Sequence, residues 1–549
     1  MTSSRRSALF VALSATPFDV LVIGGGITGA GTARDAALRG LRVALVEQAD
    51  FASGTSSRSS RLVHGGVRYL EHGQVGLVFE SSRERRTLLR IAPHLVRPLP
   101  FTWPVYTGAR IGRWKLAAGL TLYDALALFR NVGRHQRLDA RGVVAREPHV
   151  SQKNLTGGAR YWDSATDDAR LTLANVLSAE RAGAIVANHA RVSAILRVGN
   201  RIAGASVLDV GTGATVDIHA RVVVNASGPW SDKVERLAQA GAASAVRGSK
   251  GVHVSVPRSR VGNVAALTLT APQDGRVMFV LPSGAFTIIG TTDTFDDVAP
   301  DEVRANERDV AYLLESANHY FPDAALTRSD VVSAWAGLRP LAVAGGGGSN
   351  ASAASREHAI SEVEPGLVRV TGGKLTTFRS MASQVVDAVQ RSLGGAPTKS
   401  RTAHEPLPGG DIADVALEIG EAARVIEDGV VAERLVHAYG SAWRDVWSRV
   451  HDDETLRTRI APERPYLLAE LRHAIDHEHA RTFGDLLIRR TPVAFETQDH
   501  GRNAARRIAP SVSQWLGWSG RATESALAAY DAEVARIFTI DAAPRVPLP

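Results

Sequence analysis

The sequence predicts an α/β protein with an inserted antiparallel or mixed β-sheet and a C-terminal all-α domain. Three observations carry this expectation. Residues 19–47 read as strand, glycine-rich turn, helix and strand; residues 250–291 hold short alternating apolar runs; helical apolar spacing takes over beyond about residue 400. A chain of 549 residues also exceeds what one core accommodates, which points to about two or three domains.

Val20–Ile23 is the β-branched apolar run of a strand buried in a parallel sheet. Gly24, Gly26 and Gly29 then form G-x-G-x-x-G where the strand turns into a helix. The first glycine permits the tight turn, the second lets a pyrophosphate approach the backbone, and the third lets helix and strand pack closely. The helix start, with Ile27 and Thr28, offers free N–H groups and a positive dipole end to phosphates. Arg42–Val46 reads as the second strand and ends in Glu47, where an acid would hold a ribose hydroxyl. Strand, helix and acid together predict a Rossmann-like dinucleotide-binding unit. This stretch alone does not separate NAD from FAD.

Composition sets outer limits. A hydrophobic share of 44% and a charged share of 22% belong to an ordinary globular chain rather than a disordered or membrane-spanning one. The absence of cysteine excludes disulfides, thiolate metal sites and a catalytic thiol; no metal is expected. Net charge of +8 and a pI near 9.9 favour anionic partners: a phosphorylated substrate, an anionic membrane surface or nucleic acid. The arginines are dispersed rather than gathered on one stretch with aromatics, which argues against nucleic acid. Arg5 and Arg6 precede the apolar run Ala8–Leu13, but Pro17 breaks it directly before the first strand, so a short surface helix or arm is expected rather than a signal peptide. No apolar stretch is long enough for a membrane span.

Residues 51–73, FASGTSSRSSRLVHGGVRYLEHG, put serines and threonines beside glycines, as in a loop that wraps a polar ligand or in a solvated linker. The run His64-Gly65-Gly66-Val67-Arg68-Tyr69 gathers an imidazole, a cation and a phenol, which costs stability unless used. Gln74–Ile91 reads as an exposed helix ended by Pro93. Ala109–Asn131 has basic flanks and an amphipathic middle interrupted by Asp124; it suits either a membrane interface or a packed helical hairpin.

Several blocks together make a specific resemblance: GGGITGAG (24–31), TSSRSSRLVHGGVRYLEH (55–72), DDARL (167–171), NASGPW (225–230), KGVHV (250–254), IIGTTD (288–293), GLRPL (337–341) and TGGKLTTFR (371–379). The chain resembles the FAD-dependent, aerobic, quinone-linked glycerol-3-phosphate dehydrogenases within the D-amino-acid-oxidase-like flavoprotein superfamily. RTFGDLLIRRT (481–491) extends the match more weakly, and Arg61 stands where the family often has lysine. The resemblance implies FAD as cofactor, held by Gly24, Gly26, Ile27, Thr28, Gly29 and Glu47, by Thr55, Ser56, Ser57, Ser60, Arg61, His64, Gly65 and Gly66, by Ser227 and Gly228, and by Gly372, Gly373, Lys374, Leu375 and Thr376. It implies oxidation of sn-glycerol 3-phosphate to dihydroxyacetone phosphate by hydride transfer from C2 to flavin N5, with electrons passing to a quinone. Arg339 and Arg356 become the phosphate clamps, with Arg68, Tyr69 and Thr292 as further substrate contacts. Arg339, Lys374, His253 and Tyr69 are the catalytic candidates, with His64 the alternative histidine for the proton. Lysine is electrostatically disfavoured at a helix start, so Lys374 ahead of Leu375–Leu393 suits a ligand-facing role. The family association makes the expected location cytoplasmic, peripheral to the inner face of the membrane; a homodimer stays open. A glycerol-3-phosphate oxidase using oxygen, or an amino-acid or 2-hydroxy-acid oxidase, would share much of this pattern.

The remaining elements follow in order: a helix over 167–184; strands over 191–197, 201–210, 215–218 and 221–226; strands over 250–256, 265–270, 275–281 and 285–291; a helix over 303–320; a flexible loop over 345–355; a strand over 367–371. The expected division is an arm (1–17), a discontinuous FAD-binding domain (18–100, 165–245, 357–398), a substrate domain (101–164, 246–356) and, after the linker Pro406–Gly410, a helical domain (411–549).

Overall fold

The computed structural model describes residues 3–15, 17–242, 244–295, 298–342 and 358–542. Phe18–Ile23 lies at the centre of an eight-stranded sheet. Val43–Val46 and Thr215–Asn225 flank it in parallel, Ile185–Ala187 and Leu367–Thr371 extend the two sides, and Ala359–Glu364 closes one edge antiparallel. Side chains on successive residues serve two cores, as strand alternation requires. Val20 and Val22 pack under the helices Ile27–Leu38, Asp168–Arg181 and Phe378–Ser392; Leu21 and Ile23 pack on the opposite face with the hairpin region 190–220 and the N-terminal helix Ser3–Ala15. That helix is packed rather than a loose arm: Phe10 and Leu13 are buried, and Arg6 pairs with Asp209 at 3.1 Å.

A second, ten-stranded sheet is mostly antiparallel. Val246–Pro257, Ala266–Thr270, Val277–Ser283 and Phe286–Gly290 match the four expected strands in order, and Ser333–Ala342 joins the first of them. Helix Glu307–Tyr320, fastened by an Asn306–Asp309 capping box, covers its back. The sheet also recruits Val96–Tyr106, Leu155–Thr166 and Leu62–Val63, so the expected division at residue 100 falls inside a strand paired throughout with 155–166. Two further readings change. Thr215–Asn225 is one strand rather than two, antiparallel through 215–219 and parallel beyond, because it leaves the hairpin and enters the main sheet. Helix Val75–Ile91 is half-buried rather than exposed, with Val78, Ser81, Ser82, Glu84, Arg85 and Leu88 turned inward.

Beyond residue 414 the chain is helical: Val415–Ile426, Gly429–Tyr439, Trp443–Asp452, Leu468–His477, Arg502–Leu516 and Gly520–Phe538. The first of these helices build one core around Leu435, Trp443 and Trp447, while Phe483, Phe495 and Tyr530 belong to a core shared with Trp103, Tyr161 and Trp335 of the second sheet. The expected loop 345–355 and Arg356 lie outside the described residues. Among the described residues no helix is long and apolar enough to cross a membrane.

Candidate active site

One cavity of about 640 Å³ runs between the two sheets. At one end are the G-x-G-x-x-G turn and Glu47. A Cβ on Gly24 would lie 2.7 Å from Ala226 O, and one on Gly29 only 1.9 Å from Gly24 O, so the turn closes only with glycines. Glu47 accepts hydrogen bonds from Gly25 N (2.7 Å) and Ala49 N (3.0 Å), which fixes its carboxylate at the strand end while burial pushes its pKa up. Ala190, Arg191, Ser193 and Lys233 continue this end, and Ser227 and Gly228 face the glycine turn.

The middle of the cavity is built by the serine-rich loop and the segment 372–376. Ser56 Oγ accepts from Ile27 N at 2.9 Å, Thr55 Oγ1 donates to Leu338 O at 2.6 Å, and Thr376 Oγ1 accepts from His64 N at 3.1 Å. These bonds tie the loop to both sheets. Leu375–Thr377 is a 3₁₀ turn that leads into helix Phe378–Ser392, close to the expected helix.

The far end carries the chemistry. Arg339 donates to Asp293 Oδ1 and to Thr291 Oγ1, each at 3.0 Å. A Cβ at Gly251 would sit 2.3 Å from Arg339 Nη2, so the absence of a side chain there makes room for the guanidinium. Lys374 Nζ donates to Ser81 Oγ at 3.0 Å and stands 4.2 Å from the centre of the Tyr69 ring. Arg68 approaches the same ring at 5.6 Å. His253 stacks on Trp335 at 5.5 Å, and its Nε2 lies 2.9 Å from Ser60 Oγ. Burial, with Arg339 and Arg61 nearby, pushes its imidazole down to about 3, so the ring is neutral at ordinary pH.

Most of the expected residues line this cavity: Gly24, Gly26, Ile27, Thr28, Glu47, Thr55, Ser56, Ser60, His64, Gly66, Arg68, Tyr69, Ser227, Gly228, His253, Arg339 and all of 372–376. Five do not. Gly29 packs behind the turn. Ser57 Oγ turns back to Gly54 O, and Gly65 N donates to Asp163 Oδ1. Arg61, with φ at +54°, swings its guanidinium over the Phe495 ring at 4.8 Å and so faces the helical domain. Thr292 Oγ1 accepts from Val252 N, while its neighbours Thr291 and Asp293 face the cavity instead. Sequence reasoning also missed an aromatic wall of Phe101, Trp103, Tyr161 and Phe279, in which Phe101 stacks on Tyr161 at 5.1 Å. The alternation in FTW (101–103) carried that signal. Arg536 reaches the cavity from the C-terminal domain, and nothing in the sequence announces it.

The glycine cradle, with an acid fixed at the end of the second strand, fits a dinucleotide cofactor on geometry alone. A family model for FAD-dependent oxidoreductases matches residues 19–380, and one for the C-terminal domain of alpha-glycerophosphate oxidase matches 400–523. Glycerol-3-phosphate dehydrogenase 2 of Mycobacterium tuberculosis is 38% identical over 535 residues, which is 97% of this chain and 90% of that protein. The chain belongs to the FAD-dependent glycerol-3-phosphate dehydrogenase family. A glycerol-3-phosphate dehydrogenase from Synechocystis is 36% identical, over 93% of this chain and 95% of that protein. The crystal structure of the glycerol-3-phosphate dehydrogenase from Bacillus halodurans complexed with FAD superposes with a TM-score of 0.82 at 30% identity, covering 100% of both chains. As in other members of this family, FAD is the cofactor.

Proposed function

We propose that this enzyme oxidises sn-glycerol 3-phosphate at C2 to dihydroxyacetone phosphate and passes the electrons to a quinone at the membrane surface, as a step of glycerol catabolism. The observation that carries the reading is the meeting, in one cavity, of a dinucleotide cradle with the cations Arg68, Arg339 and Lys374. When bound, FAD supplies a ring that accepts a hydride. The protein's own groups do the rest. Arg339, oriented by Asp293 and Thr291, presents a planar fork suited to two phosphate oxygens, which a lysine cannot match. Arg356 is the second clamp in this reading, and Arg68 and Tyr69 close the opposite wall. Lys374, steadied by Ser81, provides positive charge where negative charge grows during oxidation. His253 is neutral and hydrogen-bonded to Ser60, so its imidazole is in the base form that takes the C2 hydroxyl proton as the hydride leaves and, being held near 3, releases it to water.

Membrane contact is supported by helix Arg113–Leu126. Its inner face, Leu116, Leu120 and Tyr123, packs in the core, while Trp114 is 80% exposed and Leu122, Leu128, Phe129 and Val132 also face outward. Arg113, Lys115, Arg130 and Arg134 are exposed around them, the composition of an interfacial helix on anionic lipid. Asp124, which seemed to interrupt the helix, is buried and accepts from Asn131 and His135. The acceptor is tested by turnover with sn-glycerol 3-phosphate and a soluble quinone. Quinone reduction without peroxide supports the reading; peroxide under air makes it an oxidase, and turnover of glycine or sarcosine but not of glycerol phosphate refutes the substrate.

A further inference from the structure

The cavity contains an arginine that the proposed reaction does not use. Arg58 lines it yet is only 6% exposed, and its one hydrogen bond among the described residues is a long one, from Nη2 to Ser53 O at 3.4 Å. Among the described residues it makes no ion pair. The carboxylates near it are already engaged: Glu533 Oε1 takes Arg489 Nη1 at 2.7 Å, and Asp301 Oδ2 accepts from Trp230 Nε1 at 3.2 Å. The strongest charge acting on Arg58 is another guanidinium, that of Arg536 on helix Gly520–Phe538, which lines the same cavity. Arg536 has only a loose contact with Glu533, at 3.6 Å. Burial and then Arg536 push the Arg58 guanidinium down to about 9, so it remains charged at neutral pH.

Two guanidiniums that face one cavity, one without an ion pair among the described residues and the other held only at 3.6 Å by a carboxylate that already serves Arg489, repel each other unless an anion lies between. A phosphate suits the place best, since planar forks grip its oxygens in pairs. We propose that Arg58 and Arg536 together bind a phosphate group at the seam between the nucleotide-binding and helical domains, apart from Arg339. Two sources share that chemistry: the diphosphate of the bound cofactor, and a free phosphate or phosphate ester acting beside the reaction. The proposal does not rest on the substrate assigned above.

The test compares wild type with Arg58→Gln, Arg536→Gln and, as control, Arg339→Lys. FAD affinity of the apoprotein is read from quenching of flavin fluorescence. The melting temperature of the flavin-loaded protein is read with and without inorganic phosphate at constant ionic strength. A loss of FAD affinity of about tenfold or more in either glutamine variant assigns the site to the cofactor's diphosphate. Unchanged FAD affinity, with a phosphate-dependent rise in melting temperature that both glutamine variants lose and Arg339→Lys keeps, assigns it to a free phosphate. FAD affinity within about twofold of wild type in both glutamine variants, with the phosphate effect either undiminished or absent in wild type, overturns the proposal. Arg536 is partly exposed, so its variant carries the test if Arg58→Gln does not fold.

Discussion

At the seam between the helical and nucleotide-binding domains, Arg490 grips Asp50 with two nitrogens, at 2.7 and 3.0 Å, and donates to Glu478 O; Arg489 holds Asp50, Asp485 and Glu533. In the cavity, Arg339 pairs with Asp293 at 3.0 Å, and Arg58 makes no ion pair among the described residues. The two regions use the same side chain in opposite ways. The seam matches buried charges with their opposites: Asp50, His189 and Asp485 are close enough together to hold a cation, but the two carboxylates are already served by Arg489 and Arg490 and His189 is paired with Asp485 at 3.0 Å. Such a cluster fixes position. Asp50 closes the loop that begins at Glu47, and that loop is also held by Ala187, His189 and Ala190 through backbone bonds. In the cavity the buried Arg58 guanidinium is left without a carboxylate among the described residues, which costs folding energy and suits the capture of an anion.

The largest effect expected from this contrast is at the seam. Arg490→Leu leaves Asp50 with Arg489 but without its bidentate partner and should cost about 3–5 kcal/mol, a fall of about 3–4 °C in melting temperature by calorimetry for a chain of this size. A shift under about 2 °C would mean that the cluster holds nothing in place. Arg339→Lys should do the reverse, raising KM for sn-glycerol 3-phosphate about 10- to 100-fold while the melting temperature stays nearly unchanged. Lys374→Met should slow the reduction step about tenfold or more in anaerobic stopped flow, with a smaller change in substrate binding. The smallest effect concerns pH. His253 titrates near 3, far below the working range, so any acid limb of the reduction rate between about pH 5 and 8 should stay within about 0.3 pH unit of its place in His253→Gln. A limb that vanishes with the histidine would contradict its neutral state.

Local pattern made the nucleotide end legible. Gly24, Gly26, Gly29 and Glu47 sit at spacings set by one strand, one turn and one helix, and short-range geometry leaves little freedom there. The segments 55–72 and 371–379 were legible through resemblance, although side-chain direction was not. Arg61 and Thr292 lie in matched blocks but turn away, because a positive φ at Arg61 and the alternation between Thr291 and Asp293 decide which way each points. Long-range assembly was the least legible. The sheet that joins 96–106 to 266–267 in parallel, and the arrival of Arg536 in a cavity built mainly by the first 376 residues, depend on contacts between segments far apart in the chain.

The most direct measurement is the visible spectrum of the purified protein under nitrogen before and after addition of sn-glycerol 3-phosphate. A yellow protein whose flavin absorbance bleaches with this substrate, and does so only at much higher concentration in Arg339→Lys, is the predicted result. A flavin-loaded protein that keeps its colour in the presence of excess sn-glycerol 3-phosphate would contradict the account.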